Sequence, residues 1–250
     1  MRFFIVYNKT KDLEQGDAGM EQLAATIRAG KKEITVYRDS EASASAPTVY
    51  LNAGDDEGAA TWEACRSIGC PAFTLAVIAG LQWNHDLTPW PMPPIWKNDT
   101  PYTGGADDYL ALLTGEILPA VEETLGEKPL YRVLAGYSLA GLFAVYAAYH
   151  TDAFARIVSA SGSLWYSDFL EYTQSHDLCR APEKMYFSLG DKEAKTKNRY
   201  LCLVEERSRT LFEKYSNQGI STKFELNPGN HFMDADGRMA RGIRWILEPV

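Results

Sequence analysis

Short, bounded apolar runs alternate with longer helical stretches along this chain. That alternation predicts an α/β fold, a mainly parallel central sheet with helices on both faces. Two further observations agree. The chain has 250 residues, 46% apolar and 23% charged, which suits one soluble domain over residues 1–250 with a sizeable core. A serine also lies in a turn of small residues, Gly136-Tyr137-Ser138-Leu139-Ala140-Gly141, between a strand-like run and a helix-like one.

The elements follow in order. Met1-Arg2-Phe3-Phe4-Ile5-Val6-Tyr7 reads as a first strand, because the polar run Asn8-Lys9-Thr10-Lys11-Asp12 cuts it too short for a signal-peptide core. The expectation is a cytoplasmic protein. Residues 33–38 and 48–52 read as strands around a Ser/Ala-rich loop at 40–47. A helix at 57–67 precedes a strand at 73–79. A long loop then carries Trp83, Trp90, Trp96 and several prolines. A helix at 106–125 leads to the strand at 131–135, the serine turn, and an alanine-rich buried helix at 142–149. Strands at 156–160, 185–189 and 222–226, with helices at 197–217 and 235–247, complete the pattern.

The net charge of −8 excludes a nucleic-acid-binding face, since no lysine/arginine cluster is present to neutralise phosphates, and it fits an anionic membrane poorly. No run is long enough to span a membrane. The cysteines, Cys65, Cys70, Cys179 and Cys202, lack CxxC spacing and read as buried free thiols rather than metal ligands or disulfides.

The serine turn has the form of the nucleophile elbow of α/β-hydrolases. Strain there projects the hydroxyl clear of the sheet. Strand and helix run so close that Gly136 and Ala140 must be small; Ala140 stands where the strict pattern has glycine. A serine hydroxyl needs a base, normally a histidine held by a carboxylate, in the chain order serine, acid, histidine. That order discards His85 as base. His150 ends the helix that begins at the elbow, roughly 18 Å away at 1.5 Å per residue. His176 sits in a polar, solvated stretch. His231 follows the last strand, in Asn227-Pro228-Gly229-Asn230-His231-Phe232, and is the candidate base. Asp191 and Glu193 both follow the strand at 185–189, and position alone does not separate them. Oxyanion donors are expected from the Leu139 amide and from the loop Asn52-Ala53-Gly54-Asp55-Asp56-Glu57, whose acids suit the start of the next helix.

With these residues assembled, the chain resembles the putative esterase family of α/β-hydrolases, which includes esterase D, the mycolyltransferases and the trilactone siderophore esterases. The resemblance covers about residues 33–247. Val49-Tyr50-Leu51-Asn52-Ala53-Gly54 is similar to the family's third strand and oxyanion turn, Asp86-Leu87-Thr88-Pro89 to a D-L-T-P loop of the siderophore-esterase branch, and Gly104-Gly105-Ala106 through Glu116-Ile117-Leu118-Pro119 to that branch's next helix. Ser161-Gly162-Ser163-Leu164-Trp165 is similar to its S-P-S-x-W stretch, and Gly229-Asn230-His231 to the histidine turn. The resemblance implies Ser138 as nucleophile, His231 as base, Glu193 as acid, and the Asp55 amide as second oxyanion donor. Ala53 departs from a frequent aspartate, and Asn84-His85 from a frequent arginine.

The leading expectation is a serine carboxylic-ester hydrolase working through an acyl-enzyme on a small-molecule ester, with no metal or organic cofactor. The loop at 81–103, with Trp165 and Tyr166, is expected to wall the pocket; Trp165, Tyr137 and His85 are the candidate substrate-binding residues. Acyl transfer through the same intermediate, and a non-catalytic binding protein on a hydrolase fold, are the alternatives.

Overall fold

The structure is a computed structural model and describes residues 6–7, 23–39, 42, 46–54 and 57–250. Its strands are β1 (Val6–Tyr7), β2 (Leu23–Ala29), β3 (Lys32–Arg38), β4 (Thr48–Asn52), β5 (Thr74–Ala79), β6 (Pro91–Met92), β7 (Tyr102–Thr103), β8 (Arg132–Tyr137), β9 (Arg156–Ala160), β10 (Lys184–Gly190) and β11 (Ser221–Asn227). Its helices are α1 (Glu57–Ser67), α2 (Trp83–Asp86), α3 (Ala106–Leu112), α4 (Leu118–Leu125), α5 (Leu139–Ala147), α6 (Phe169–Ser175), α7 (Val204–Asn217) and α8 (Ala235–Leu247).

Among the described residues one large sheet runs β1-β2-β3-β5-β4-β8-β9-β10-β11. The pairs from β5 to β11 are parallel, and β1, β2 and β3 extend one edge in antiparallel fashion. Alternation along the strands divides the core into two layers. Tyr50, Ala76, Leu134, Ile157 and Phe187 face α5 and its neighbours. Val49, Leu51, Val77, Val133 and Val158 face α1 and α8, against Trp62, Met239 and Ile243. α5 is buried along its whole length, as its alanine-rich sequence demands. The architecture expected from sequence is the one observed.

Several elements differ from expectation. The strand β2 is absent from the sequence reading; Ala25, Ile27 and Ala29 do alternate inward, but alanine is a weak strand former. The helix expected at 106–125 is interrupted by a π-helical turn, Leu113–Ile117. Pro119 has no N–H to give the Gly115 carbonyl, and a wider turn ahead of it absorbs that missing bond. The helix expected at 197–217 begins later, with a 3₁₀ turn at Leu201–Leu203. There the Asn198 carboxamide oxygen accepts from the Tyr200 and Leu201 amides at 2.9 and 3.2 Å and sets the start. The four cysteines are unpaired, but only Cys65 is buried; Cys179 and Cys202 are exposed, because each lies on the outer side of a loop or helical turn. Of the expected first strand only Val6–Tyr7 is described; residues 1–5, Asn8 to Asp12 and most of the loop at 40–47 lie outside the described residues. No helix among the described residues is long and apolar enough to cross a membrane.

Candidate active site

β8 ends at Tyr137 and α5 begins at Leu139, leaving one residue to reverse the chain direction. Ser138 does so with φ 56° and ψ −122°, a conformation that costs on the order of 1–3 kcal/mol for a residue with a side chain. Three backbone bonds hold it: Ser138 N–H to Ala160 O at 3.2 Å, and the amides of Ser163 and Leu142 to Ser138 O at 2.9 and 3.1 Å. A Cβ on Gly136 would stand 2.3 to 2.5 Å from the Ala140 carbonyl carbon, carbonyl oxygen and Cβ. The elbow therefore needs glycine at that point, whereas the single methyl of Ala140 fits.

Ser138 Oγ lies 3.1 Å from His231 Nε2, and His231 Nδ1 lies 2.7 Å from Glu193 Oε2. Each group stands just beyond the carboxyl end of a different parallel strand, β8, β11 and β10, where open α/β sheets place their sites. Asp191, the other candidate carboxylate, turns away. Its Oδ1 accepts from the Gly229 amide at 2.7 Å, which clamps the histidine turn onto the end of β10.

The second Glu193 oxygen is as fully occupied as the first. Oε1 accepts from Gly190 N–H at 2.6 Å, Ser161 Oγ at 2.8 Å and Arg238 Nη1 at 2.9 Å. Burial by itself would raise the Glu193 pKa, but hydrogen bonding and charge interaction with His231, then the Gly190 amide and Ser161, outweigh it and hold the carboxyl below its ordinary value.

Arg238, on α8, escaped the sequence reading. It is completely buried. Beyond Glu193, its Nη1 donates to Tyr137 Oη and Ser161 Oγ, both at 3.1 Å, and its Nη2 donates to the carbonyls of Pro228 and Asn230 at 3.1 and 2.9 Å. One guanidinium thus ties the acid to the backbone of the histidine turn, and Tyr137 Oη adds a bond to His231 O at 2.7 Å. Gly190 permits this approach, since a Cβ there would stand 2.8 Å from Arg238 Nη2 and 2.3 Å from Gly229 O. An arginine on a terminal helix carries no local signal of such a role; the fork-shaped donor set finds its five acceptors only through the fold.

Leu139 opens α5, so its amide lacks an intrahelical acceptor and sits at the positive end of the helix. Asp55 and Asp56 lie outside the described residues. Next to them, the Gly54 amide donates to Glu57 Oε2 at 2.7 Å, so Glu57 caps α1 as expected of an acid at a helix start.

A cleft of about 330 Å³ opens over Ser138, lined by Trp83, Asn84, Ile95, Trp96, Asp99, Tyr102, Leu139, Ser163, Trp165, Glu193, Leu201, Val204, His231 and Phe232. Ser163, also missed from sequence, brings its Oγ to 3.3 Å from Ser138 Oγ. Of the three candidate substrate-binding residues, Trp165 lines the cleft. Tyr137 is committed to His231 and Arg238 instead. His85 is outside the lining: its Nδ1 bonds Thr103 Oγ1 at 2.7 Å and its ring packs on Gly105. The aromatic loop divides likewise. Trp83 and Trp96 face the cleft, while Trp90 packs among Tyr166, Phe169 and Tyr172 and Tyr166 is wholly buried. His150 bonds Tyr172 Oη and His176 is exposed just past the end of α6; neither joins the site.

Asp86 and Thr88 hold the loop in place. Asp86 forms a buried ion pair with Lys32 and accepts from the Gln82 amide, and Thr88 Oγ1 accepts from Gly104 N–H at 3.1 Å. No group of three or more His, Cys, Asp or Glu able to hold a metal occurs among the described residues.

Residues 30–233 match the family described as "Putative esterase". The chain is similar to the uncharacterized protein YbbA of Bacillus subtilis (strain 168), 24% identical over 204 residues that cover 78% of this chain and 82% of that one. Among solved structures it is similar to the siderophore hydrolase EstA from Aspergillus nidulans, with TM-score 0.65 and 20% identity over 86% of this chain and 89% of that one. It is also similar to the BES protein from Bacillus cereus, with TM-score 0.70 and 18% identity over 96% and 100% of the two chains. The structural likenesses show the α/β-hydrolase fold. The chain belongs to the Putative esterase family and is an esterase.

Proposed function

We propose that the chain, acting as one catalytic domain over residues 1–250, hydrolyses a small-molecule carboxylic ester through an acyl-enzyme on Ser138. His231 Nε2 takes the Ser138 hydroxyl proton as Oγ bonds the ester carbonyl carbon. The tetrahedral oxyanion is held by the Leu139 and Asp55 amides. Collapse breaks the bond to the alcohol, which leaves with the proton from Nε2. Water then attacks the acyl-enzyme by the same route, and Ser138 regains its proton as the acid departs. Glu193 orients the imidazole and balances its transient charge, and Arg238 positions Glu193. The observation that carries this reading is the unbroken hydrogen-bonded line Ser138–His231–Glu193, at 3.1 and 2.7 Å, opening on an aromatic cleft. A cytoplasmic place of action is part of the proposal.

A fluorophosphonate probe tests the assignment. It is expected to label the wild-type protein once per chain and to leave Ser138→Ala unlabelled, with p-nitrophenyl acetate turnover lost in parallel. Labelling that persists in Ser138→Ala overturns it.

A further inference from the structure

Among the described residues no lysine or arginine lines the cleft over Ser138, and the two acidic side chains that do, Glu193 and Asp99, differ sharply. Glu193 is buried and committed to His231 and Arg238. Asp99 is exposed, and no described cation forms an ion pair with it. The same cleft is lined by Trp83, Trp96, Tyr102, Trp165 and Phe232, five aromatic rings in one lining. Trp96 and Phe232 are 51% and 88% exposed, an expensive way to place rings that only cover the sheet. Asp99 is close enough to Tyr102 that its charge, after burial, helps push the phenol up to about 12.

The wall that carries these groups is anchored rather than loose. Asn84 Nδ2 donates to Thr100 O and Oγ1, both at 3.0 Å. Asn198 Nδ2 donates to Ile95 O at 2.9 Å, and the Asp99 amide donates to Trp96 O. Trp96 and Asp99 are thereby presented together. Aromatic faces and one unpaired carboxylate form the environment that recognises a weakly hydrated organic cation, because ring quadrupole and charge both attract it while its methyl groups displace water. An anionic ester meets only repulsion there. The lining also holds the aliphatic side chains of Ile95, Leu201 and Val204, which suit an uncharged group.

We propose that this cleft selects esters having one apolar half and one half that bears a quaternary or alkylated ammonium group. This rests on Ser138 being the nucleophile, and the test separates the two ideas. Butyrylcholine is compared with its neutral carbon isostere, 3,3-dimethylbutyl butyrate, by pH-stat, with p-nitrophenyl butyrate as the reference ester. The choline ester is expected to have a kcat/KM about tenfold higher than the isostere, mostly through KM, and the advantage should shrink in Asp99→Asn and in Trp96→Ala. Binding to Ser138→Ala, followed by tryptophan fluorescence, should show the same preference without any chemistry. Equal or inverse preference in either assay overturns the proposal, as does an advantage untouched by both substitutions. Turnover of p-nitrophenyl butyrate with neither paired ester accepted overturns it while leaving the esterase reading intact. Loss of all turnover with cation preference kept in the binding assay overturns the esterase reading and leaves the cation site.

Discussion

Two regions meet at Ser138 and are built in opposite ways. The catalytic rim rests on the ends of β8, β10 and β11 and is densely hydrogen-bonded: both Glu193 oxygens are bonded, and the two terminal nitrogens of the buried Arg238 guanidinium span acid, elbow and histidine turn. The facing wall, from Trp83 to Thr103, is mostly loop, with the exposed ring of Trp96 and a few anchors at Lys32–Asp86, Asn84 and Asn198. Chemistry needs fixed distances, so its residues are placed by a sheet and a buried network. Selection needs a surface whose shape changes without disturbing the reaction, so its residues are carried on a pinned loop.

The comparison is broken most readily at the base. His231→Ala is expected to lower kcat by about 10⁴-fold or more while the urea midpoint stays near that of the wild type, because the side chain is 30% exposed. A small kcat loss would mean the rim is not the chemical part.

Arg238→Met is expected to destabilise the fold by about 3–5 kcal/mol, the usual result of stripping one partner from a buried charged network; Arg238→Lys, keeping charge but not the fork, should lose less. Urea denaturation measures both, and wild-type stability in Arg238→Met would show that the network does not hold the rim together. Lys32→Met offers the matching experiment on the wall. It leaves Asp86 buried without its cation, and should cost about 3 kcal/mol while raising KM more than it lowers kcat.

The pH dependence of stability sharpens the contrast further. Glu193 has its pKa lowered by folding, so its contribution is complete above the ordinary carboxylate value of 4.5 and is lost as pH falls through the lowered one. Wild-type stability should therefore decline more steeply below pH 4.5 than that of Glu193→Gln; parallel curves would contradict it. Smallest of all, Asn84→Ala removes the bonds to Thr100 and should raise KM about threefold, at roughly 0.5–1.5 kcal/mol per hydrogen bond, with kcat unchanged in steady-state kinetics.

The sequence was most legible where local chemistry dictates structure. Gly136, Ala140 and the strained Ser138 mark the elbow because no larger residue fits between β8 and α5, and strands β4 and β9 and helices α1 and α8 have the bounds that their patterns predict. The bounds of α5 were offset because its first turn is built from the elbow residues themselves. Chain order also set aside His85, while helix length set aside His150 and the polar setting of His176, with no strand end beside it, left His231 at the end of the last strand. Legibility failed where a residue's partner lies far along the chain. Asp191 and Glu193 share one short loop and one charge, and only the path of the turn at 228–231 gives the first to Gly229 and the second to His231.

By itself, then, the amino-acid sequence determined the mainly parallel sheet, the serine elbow and the order in which the candidate acid and histidine follow it. The tertiary structure alone decided which carboxylate meets the imidazole, that Arg238 secures it, and that Trp83, Trp96 and Asp99 rather than His85 line the cleft over Ser138. The reason is range: strain, periodicity and turn preference act over a few residues, whereas a buried guanidinium and an aromatic cleft are assembled from segments more than a hundred residues apart.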